Sequence, residues 1–227
     1  MATSSAYGFT AGLADILDDA TERIGKDPAV FLTGRHVTSA LRSIDMAFSH
    51  WGNEGGSLPW AVDWVNYTAV DGADNFVTAT GTIDILGAVL RRSGADTPIL
   101  RISRQEYLDI PDKTVEGRPD RYFVDRTQTV PTAYIWPLFE NATDIIRYSR
   151  LRHLQNTGAF ANDPHIPQSW IEALTSELAA RMAEKWAVER EDKLRAKADR
   201  WFKEALNGSA DLTDVVIRPS FGGGRRW

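Results

Sequence analysis

Pro98-Ile-Leu-Arg-Ile-Ser-Arg-Gln-Glu-Tyr-Leu-Asp-Ile-Pro-Asp-Lys113, followed by Gly117-Arg118-Pro119, Tyr122-Phe-Val-Asp-Arg126 and Tyr134-Ile-Trp-Pro137, is the stretch on which the reading of the fold turns. Leu100 and Ile102 alternate with Arg101 and Ser103, and Tyr122 and Val124 alternate with Phe123 and Asp125. That two-residue period belongs to strands covered on one face. Gly117 and Pro119 punctuate the chain between them, as a turn requires. The pattern by itself supports a small β-domain and says nothing about function.

The same character extends on both sides. Trp60–Tyr67, Phe76–Thr80 and Ile83–Leu86 are rich in aromatic and β-branched residues, with Asp71-Gly72 as a turn pair between the first two. Ile83 to Arg91 fits a short buried strand or one helical face equally well, and its neighbours decide for a strand. Asp144 to Leu154 alternates loosely and reads as the last strand, its basic positions facing solvent or a subunit contact.

Helical spacing flanks this block. From Thr10 to Ile24, Leu13, Ile16, Leu17, Ala20 and Ile24 share a face that Asp15, Asp18, Asp19 and Glu22 avoid, and Gly25 is a terminator. A second helix from Thr33 carries Val37, Ala40, Leu41, Ile44, Phe48 and Trp51 and ends at Gly52-Asn53. The longest helix opens at Pro167, or at a Ser169/Glu172 capping box. Trp170, Leu174, Leu178, Met182 and Trp186 repeat along it, Ala187, Leu194 and Trp201 continue the stripe with Ala198 and Ala205, and Asn207-Gly208 stops it. The expected fold is α+β: a bundle of the N-terminal and long C-terminal helices, with a small antiparallel β-domain inserted. The expected divisions are 1–56, 57–155 and 156–208, with a flexible tail over 209–227.

Composition narrows the chemistry. The 227 residues include no cysteine, which removes disulfides, thiolate metal sites and cysteine nucleophiles. No run of about 18 apolar residues suggests a membrane span, and Met1-Ala-Thr-Ser-Ser5 does not read as a signal peptide, so a soluble intracellular product is expected. The net charge of −5 argues against a protein that grips nucleic acid through a basic face. The eight tryptophans are expected as core or interface anchors.

A nucleophilic triad lacks any Gly-x-Ser-x-Gly elbow. His36, His50, His153 and His165 include no helical i, i+4 pair for zinc. Gly222-Gly-Gly224 lacks the Lys-Ser/Thr of a phosphate loop. A carboxylate pair of the glycosidase kind is not selected by any pattern among the 31 acidic residues. Arg101, Arg104, Arg118, Arg121 and Arg126 are expected to pair with Asp109, Asp112, Asp120 and Asp125 before they contact nucleic acid. The residues therefore assign no catalytic, cofactor or metal site.

In order and separation, Ile102-Ser-Arg-x-x-Tyr107, Lys113, Gly117-Arg-Pro119, Tyr122-Phe-Val-Asp-Arg126 and Tyr134-x-Trp-Pro137 resemble the head-to-tail adaptor proteins of short-tailed phages, the tail tubular protein A and tail accessory class. The helix ending at Trp51 before a glycine-rich turn and Ile166-Pro-x-x-Trp170-x-x-Ala-Leu174 extend the likeness over most of the chain. The resemblance implies a virion structural protein, made in the host cytoplasm and placed at the head-tail junction. It would form a homo-oligomeric ring, typically of twelve copies, between a portal protein and a tail nozzle protein. Genomic DNA would pass through without sequence-specific binding. Catalytic residues, cofactors and membrane contact are not implied. The Trp-rich N-terminal half and the tail depart from the pattern. A carboxylate-dependent phage enzyme such as a cell-wall hydrolase, and another neck or tail-tube component, are the alternatives. The tail joins Gly222-Gly-Gly224 for reach to Arg218, Phe221, Arg225, Arg226 and Trp227, which are the candidate portal or subunit docking residues.

Overall fold

The computed structural model describes residues 8–209 apart from 10, 54–57 and 128. Helix α1 (Leu13–Arg23) buries Leu13, Ile16, Leu17 and Ala20 and turns Asp15, Asp18, Asp19 and Glu22 to solvent. Beyond it Gly25 takes φ +78°, which costs a residue without a Cβ little. The single turn α2 (Pro28–Phe31) is capped by Asp27, whose carboxylate accepts from Ala29 N at 3.0 Å. Helix α3 (Gly34–Asn53) buries Ala40, Ile44, Phe48 and Trp51 at helical spacing.

The next nine strands are β1 (Val62–Thr68), β2 (Asn75–Val77), β3 (Thr82–Arg92), β4 (Ala95–Arg101), β5 (Glu116–Gly117), β6 (Arg121–Asp125), β7 (Thr132–Trp136), β8 (Leu138–Phe139) and β9 (Ile145–Arg152), with helix α4 (Arg104–Leu108) after β4. They overturn the expected helical bundle with a small antiparallel insert. Seven of them form one mixed sheet in the order β1-β9-β3-β4-β6-β7-β2, and the molecule is an α+β fold dominated by it. Two local features enlarge the sheet. Ser93 at φ +52° and Gly94 at φ +82° make a two-residue hairpin turn, so β4 pairs with the long β3. The chain then crosses over through α4, and β6 joins β4 in parallel, Leu100 opposite Arg121.

The sheet also curls into a half-barrel. Register slips of β3 against β9, between Thr82 and Asp84 and between Ile85 and Gly87, bend the strand as bulges do. The two edge strands approach each other across the interior, where Tyr67 of β1 stacks on Phe76 of β2 with ring centroids 4.5 Å apart. Ile85, Leu90, Tyr122, Ile135, Ile146 and Tyr148 fill the concave side.

The single long C-terminal helix is corrected as well. Helix α5 (Ile171–Trp186) and helix α6 (Glu191–Gly208) part at Ala187, where φ −155° and ψ 56° end α5. Arg195 of α6 reaches back to Glu177 at 3.1 Å and to Glu184, both on α5. A straight continuation would leave Leu194, Ala198 and Ala205 in water, whereas the folded-back hairpin buries all three. Neither Ser169 nor any other side chain caps α5, whose N-cap is Trp170. With α1, α3 and α6 all packed on it, α5 is the centre of a helical layer. This layer meets the sheet through Trp60, Ala61, Leu151 and Leu154, where β1 and β9 run side by side with Val62 opposite Leu151.

Candidate functional site

Of the residues singled out between Ile102 and Pro137, Tyr107, Phe123, Tyr134 and Trp136 lie on the outer face of the sheet, while Tyr122 and Val124 belong to its concave core. Ser103 caps α4 reciprocally: its hydroxyl accepts from Glu106 N at 3.2 Å, and the Glu106 carboxylate accepts from Ser103 N at 2.7 Å. Hydrogen bonding from the Ser103 backbone N–H, and then from its hydroxyl, holds the Glu106 carboxyl below its ordinary value. The capped turn lays Tyr107 against Phe123 of β6 and Tyr134 of β7, at 5.8 and 5.6 Å between centroids. Cations cover these rings. Arg104 lies 5.3 Å from the Phe123 centroid and donates to Asp125 at 2.9 Å, while Lys113 lies 5.5 Å from the Tyr107 centroid. Lys113 also donates to the carbonyls of Leu108 and Ile110, at 3.2 and 2.8 Å, which ties down the end of α4.

The second half of the set locks the same ledge. Trp136 Nε1 donates to the Asp112 carbonyl at 2.9 Å, and Arg121 lies 5.2 Å from the Trp136 ring centroid. The Trp136-Pro137 peptide is cis, and a Cβ at Gly117 would stand 3.5 Å from the Pro137 side chain. A shallow groove of about 420 Å³ runs along the ledge between Leu100, Ile110, Pro111 and Trp136. Leu100 and Leu108 beside it are exposed.

The arginines of this region bind the protein itself. Arg104 with Asp125, 21 residues on, and Arg121 with its neighbour Asp120 at 3.5 Å use two of the expected aspartates. Arg101 and Arg126 instead converge on Asp84 of β3, at 3.0 and 3.3 Å, and Arg118 donates to the Thr97 hydroxyl. Sequence reasoning missed Asp84, because its role depends on the bulged register of β3.

A second polar cluster closes the mouth of the half-barrel beside a cavity of about 550 Å³. Asp63 and Arg150 face each other across β1 and β9, and Arg150 Nε donates to Asp63 at 2.6 Å. Arg150 Nη2 donates to the same carboxylate at 3.2 Å, and Nη1 reaches Ala79 O, Thr80 O and the Thr82 hydroxyl. Hydrogen bonding from Arg150, with Arg152 nearby, draws the Asp63 carboxyl below its ordinary value. Arg152 donates to Trp60 O at 3.3 Å and lies against the His165 imidazole. Arg150 and Arg152 thus bind the protein itself, while Arg147 lies over the exposed Trp64 ring, 5.0 Å from its centroid.

Buried carboxylates, where an acid-base pair would be sought, are held by guanidinium groups. Glu177 accepts from Arg181 at 2.6 Å and Arg195 at 3.1 Å inside the helical layer. Asp144 is gripped by Arg92 at 2.6 Å beside the sheet core. The two acids lie in different cores, whereas a glycosidase needs two carboxyls flanking one cleft. Among the described residues no three His, Asp or Glu side chains gather as a metal site, and no helix is long and apolar enough to cross a membrane.

The docking candidates Arg218, Phe221, Arg225, Arg226 and Trp227 lie outside the described residues. Ser209, at the expected start of the tail, belongs to the helical layer, since its hydroxyl accepts from the buried Trp170 Nε1 at 2.8 Å. Nothing in the sequence marks that bond, which follows from α6 folding back. Comparison of the chain with protein-family models and with curated proteins finds no match.

Proposed function

We propose that the chain is a structural subunit of the head-to-tail connector of a short-tailed phage. It acts in a ring, of twelve copies, between the portal protein and the tail nozzle protein, at the junction through which the genome leaves. The observation that carries this reading is the ledge. Five of the residues on which the resemblance rests, Tyr107, Lys113, Phe123, Tyr134 and Trp136, form a rigid aromatic and cationic platform, locked by side-chain bonds to the backbone. A platform fixed in this way suits a protein whose task is to hold large partners in register.

The charge balance agrees with the role. Twelve copies at −5 carry about −60, and a passage of that sign lets DNA slide through without holding it. The segment 210–227 serves as a docking arm, with Phe221 and Trp227 as anchors and Arg218, Arg225 and Arg226 meeting acidic partners. The test is to image purified particles of the producing phage and to weigh the portal-bound assembly by native mass spectrometry. A ring of this chain between portal and nozzle is the expected result. A position elsewhere in the tail, or release of fragments from purified cell wall by the protein alone, would overturn the reading.

A further inference from the structure

The helical layer has two unlike flanks. By pitch, Ser176 and Lys185 lie nine residues apart on α5, about half a turn round from each other. Ser176 accepts from Arg23 of α1 at 2.8 Å, while Lys185 donates to the Ser39 and Ser43 hydroxyls of α3 at 3.1 and 2.8 Å. So α1 and α3 stand on opposite sides of α5, each with its outer face in solvent.

The outer face of α1 carries Asp15, Asp18, Asp19 and Glu22, all exposed. Asp15 bonds its own helix start at Gly12 N, and Asp19 pairs with Arg23. Asp18 and Glu22 have no partner among the described residues. The outer face of α3 carries Arg35, Thr38, Arg42 and Met46, likewise exposed, around a notch of about 420 Å³ bounded by Arg35, Thr38, Ser39 and Arg42. Neither Arg35 nor Arg42 has a carboxylate partner among the described residues. Burial chiefly, with Arg181 and Arg42 adding to it, holds the Lys185 ammonium below its ordinary value, while Glu184 opposes the shift.

Spacing strengthens the complementarity. Asp15, Asp18, Asp19 and Glu22 stand at i, i+3, i+4 and i+7, and Arg35, Thr38, Ser39 and Arg42 stand at the same intervals. The free carboxylates of Asp18 and Glu22 stand about 6 Å apart along α1 and the guanidinium groups of Arg35 and Arg42 about 10 Å apart along α3, a difference that the long arginine side chains span. Two helices laid side by side would therefore bring both guanidinium groups against carboxylates. A molecule bearing complementary surfaces on opposite sides makes a head-to-tail contact, and such contacts repeat into rings when the rotation closes.

We infer that the α1 flank of one copy, through Asp18 and Glu22, meets the α3 flank of the next copy, through Arg35 and Arg42. The inference rests on the connector reading for its place in a ring, but its contact can be tested in the purified full chain. Two variants suffice: Asp18→Lys with Glu22→Lys, and Arg35→Glu with Arg42→Glu. All four positions are exposed, so circular dichroism and melting should match the wild type.

Sedimentation velocity at high protein concentration and low ionic strength is expected to show self-association of the wild type that high salt abolishes. Each variant alone should sediment as a monomer. An equimolar mixture should associate again, because every α1 flank then faces an α3 flank of opposite sign. A monomeric wild type, undiminished association in either variant, or a mixture that stays monomeric would overturn the flank contact. A ring imaged at the junction together with any of those results would leave the connector reading standing. Flank-dependent association in a chain absent from that junction would do the reverse.

Discussion

Trp170 shows how much of the helical layer depends on single side chains. It is fully buried, meets Trp51, Trp60 and Phe202 at 5.5 to 5.6 Å between centroids, and donates its indole proton to Ser209. Trp170→Ala should cost about 3–5 kcal/mol, read as a lower urea midpoint. Trp186 is half-buried, with edge contacts to Phe31 and His36, and its replacement by Ala should cost about 1–3 kcal/mol. In sequence the two tryptophans look equivalent, because the i+4 stripe says that both face inward but not that the helix ends at Trp186. The acid response also belongs at this scale. A bond from Arg150 lowers the Asp63 carboxyl from 3.8, and one from Arg23 lowers Glu172 from 4.5. Both groups bind protons more weakly in the fold than in the unfolded chain. Their contribution is complete above those ordinary values and is lost as pH falls through the depressed ones. Urea midpoints should therefore drop below about pH 4.5, and less steeply in Asp63→Asn with Glu172→Gln. A drop of equal steepness in the double variant would assign the acid sensitivity to other groups.

At the scale of elements, the helix stop at Gly25 was legible, but its neighbour was not. A Cβ at Gly25 would stand 2.5 Å from the Arg190 guanidinium, which donates to Arg23 O at 3.2 Å. Gly72 has a similar φ, +70°, and open space where its Cβ would be. Gly72→Ala should cost about 1 kcal/mol from backbone strain, and Gly25→Ala about 1–2 kcal/mol more, because Arg190 must move. Equal losses in thermal denaturation would show that Arg190 yields freely. The α4 capping box was written in the chain as Ser103-x-x-Glu106, yet the alternation of Leu100 to Ser103 masked it. The α5–α6 break had no such signal. Trp186-Ala-Val188 contains no glycine or proline, and the chain turns there because the α6 stripe needs a surface to cover it. Strand β3 was assigned from its neighbours, while its bulges, and hence the curl, had no local mark.

At the scale of the molecule, the alternating segments told of strands but not of their partners, which is why the sheet was expected to be small and antiparallel. Pairing of Pro98–Arg101 with β3 on one side and β6 on the other depends on a crossover through α4 that periodicity does not encode. The end of the folded unit shifts by one residue for a similar reason. A chain truncated after Ser209 should keep the wild-type melting temperature and, if 210–227 is the docking arm, fail to co-purify with the portal. Truncation after Gly208 should also lower melting by about 2–4 °C, since the Trp170 indole loses its acceptor. Undiminished portal binding by the first truncation would remove the arm from the docking scheme.

Because α5 is the common support of α1 and α3, the molecule is born out of order. The ribosome makes α3 through Asn53 and does not begin α5 until Ile171, with the whole sheet in between. At about 5–20 residues per second, the apolar faces of the first helices wait about 6–24 s for their support. Ile16, Leu17, Ile44 and Phe48 are thus open to chaperones during that interval, whereas every strand of the sheet is already available to pair. The half-barrel can close on the nascent chain, and the helical layer is the last part to become a solid.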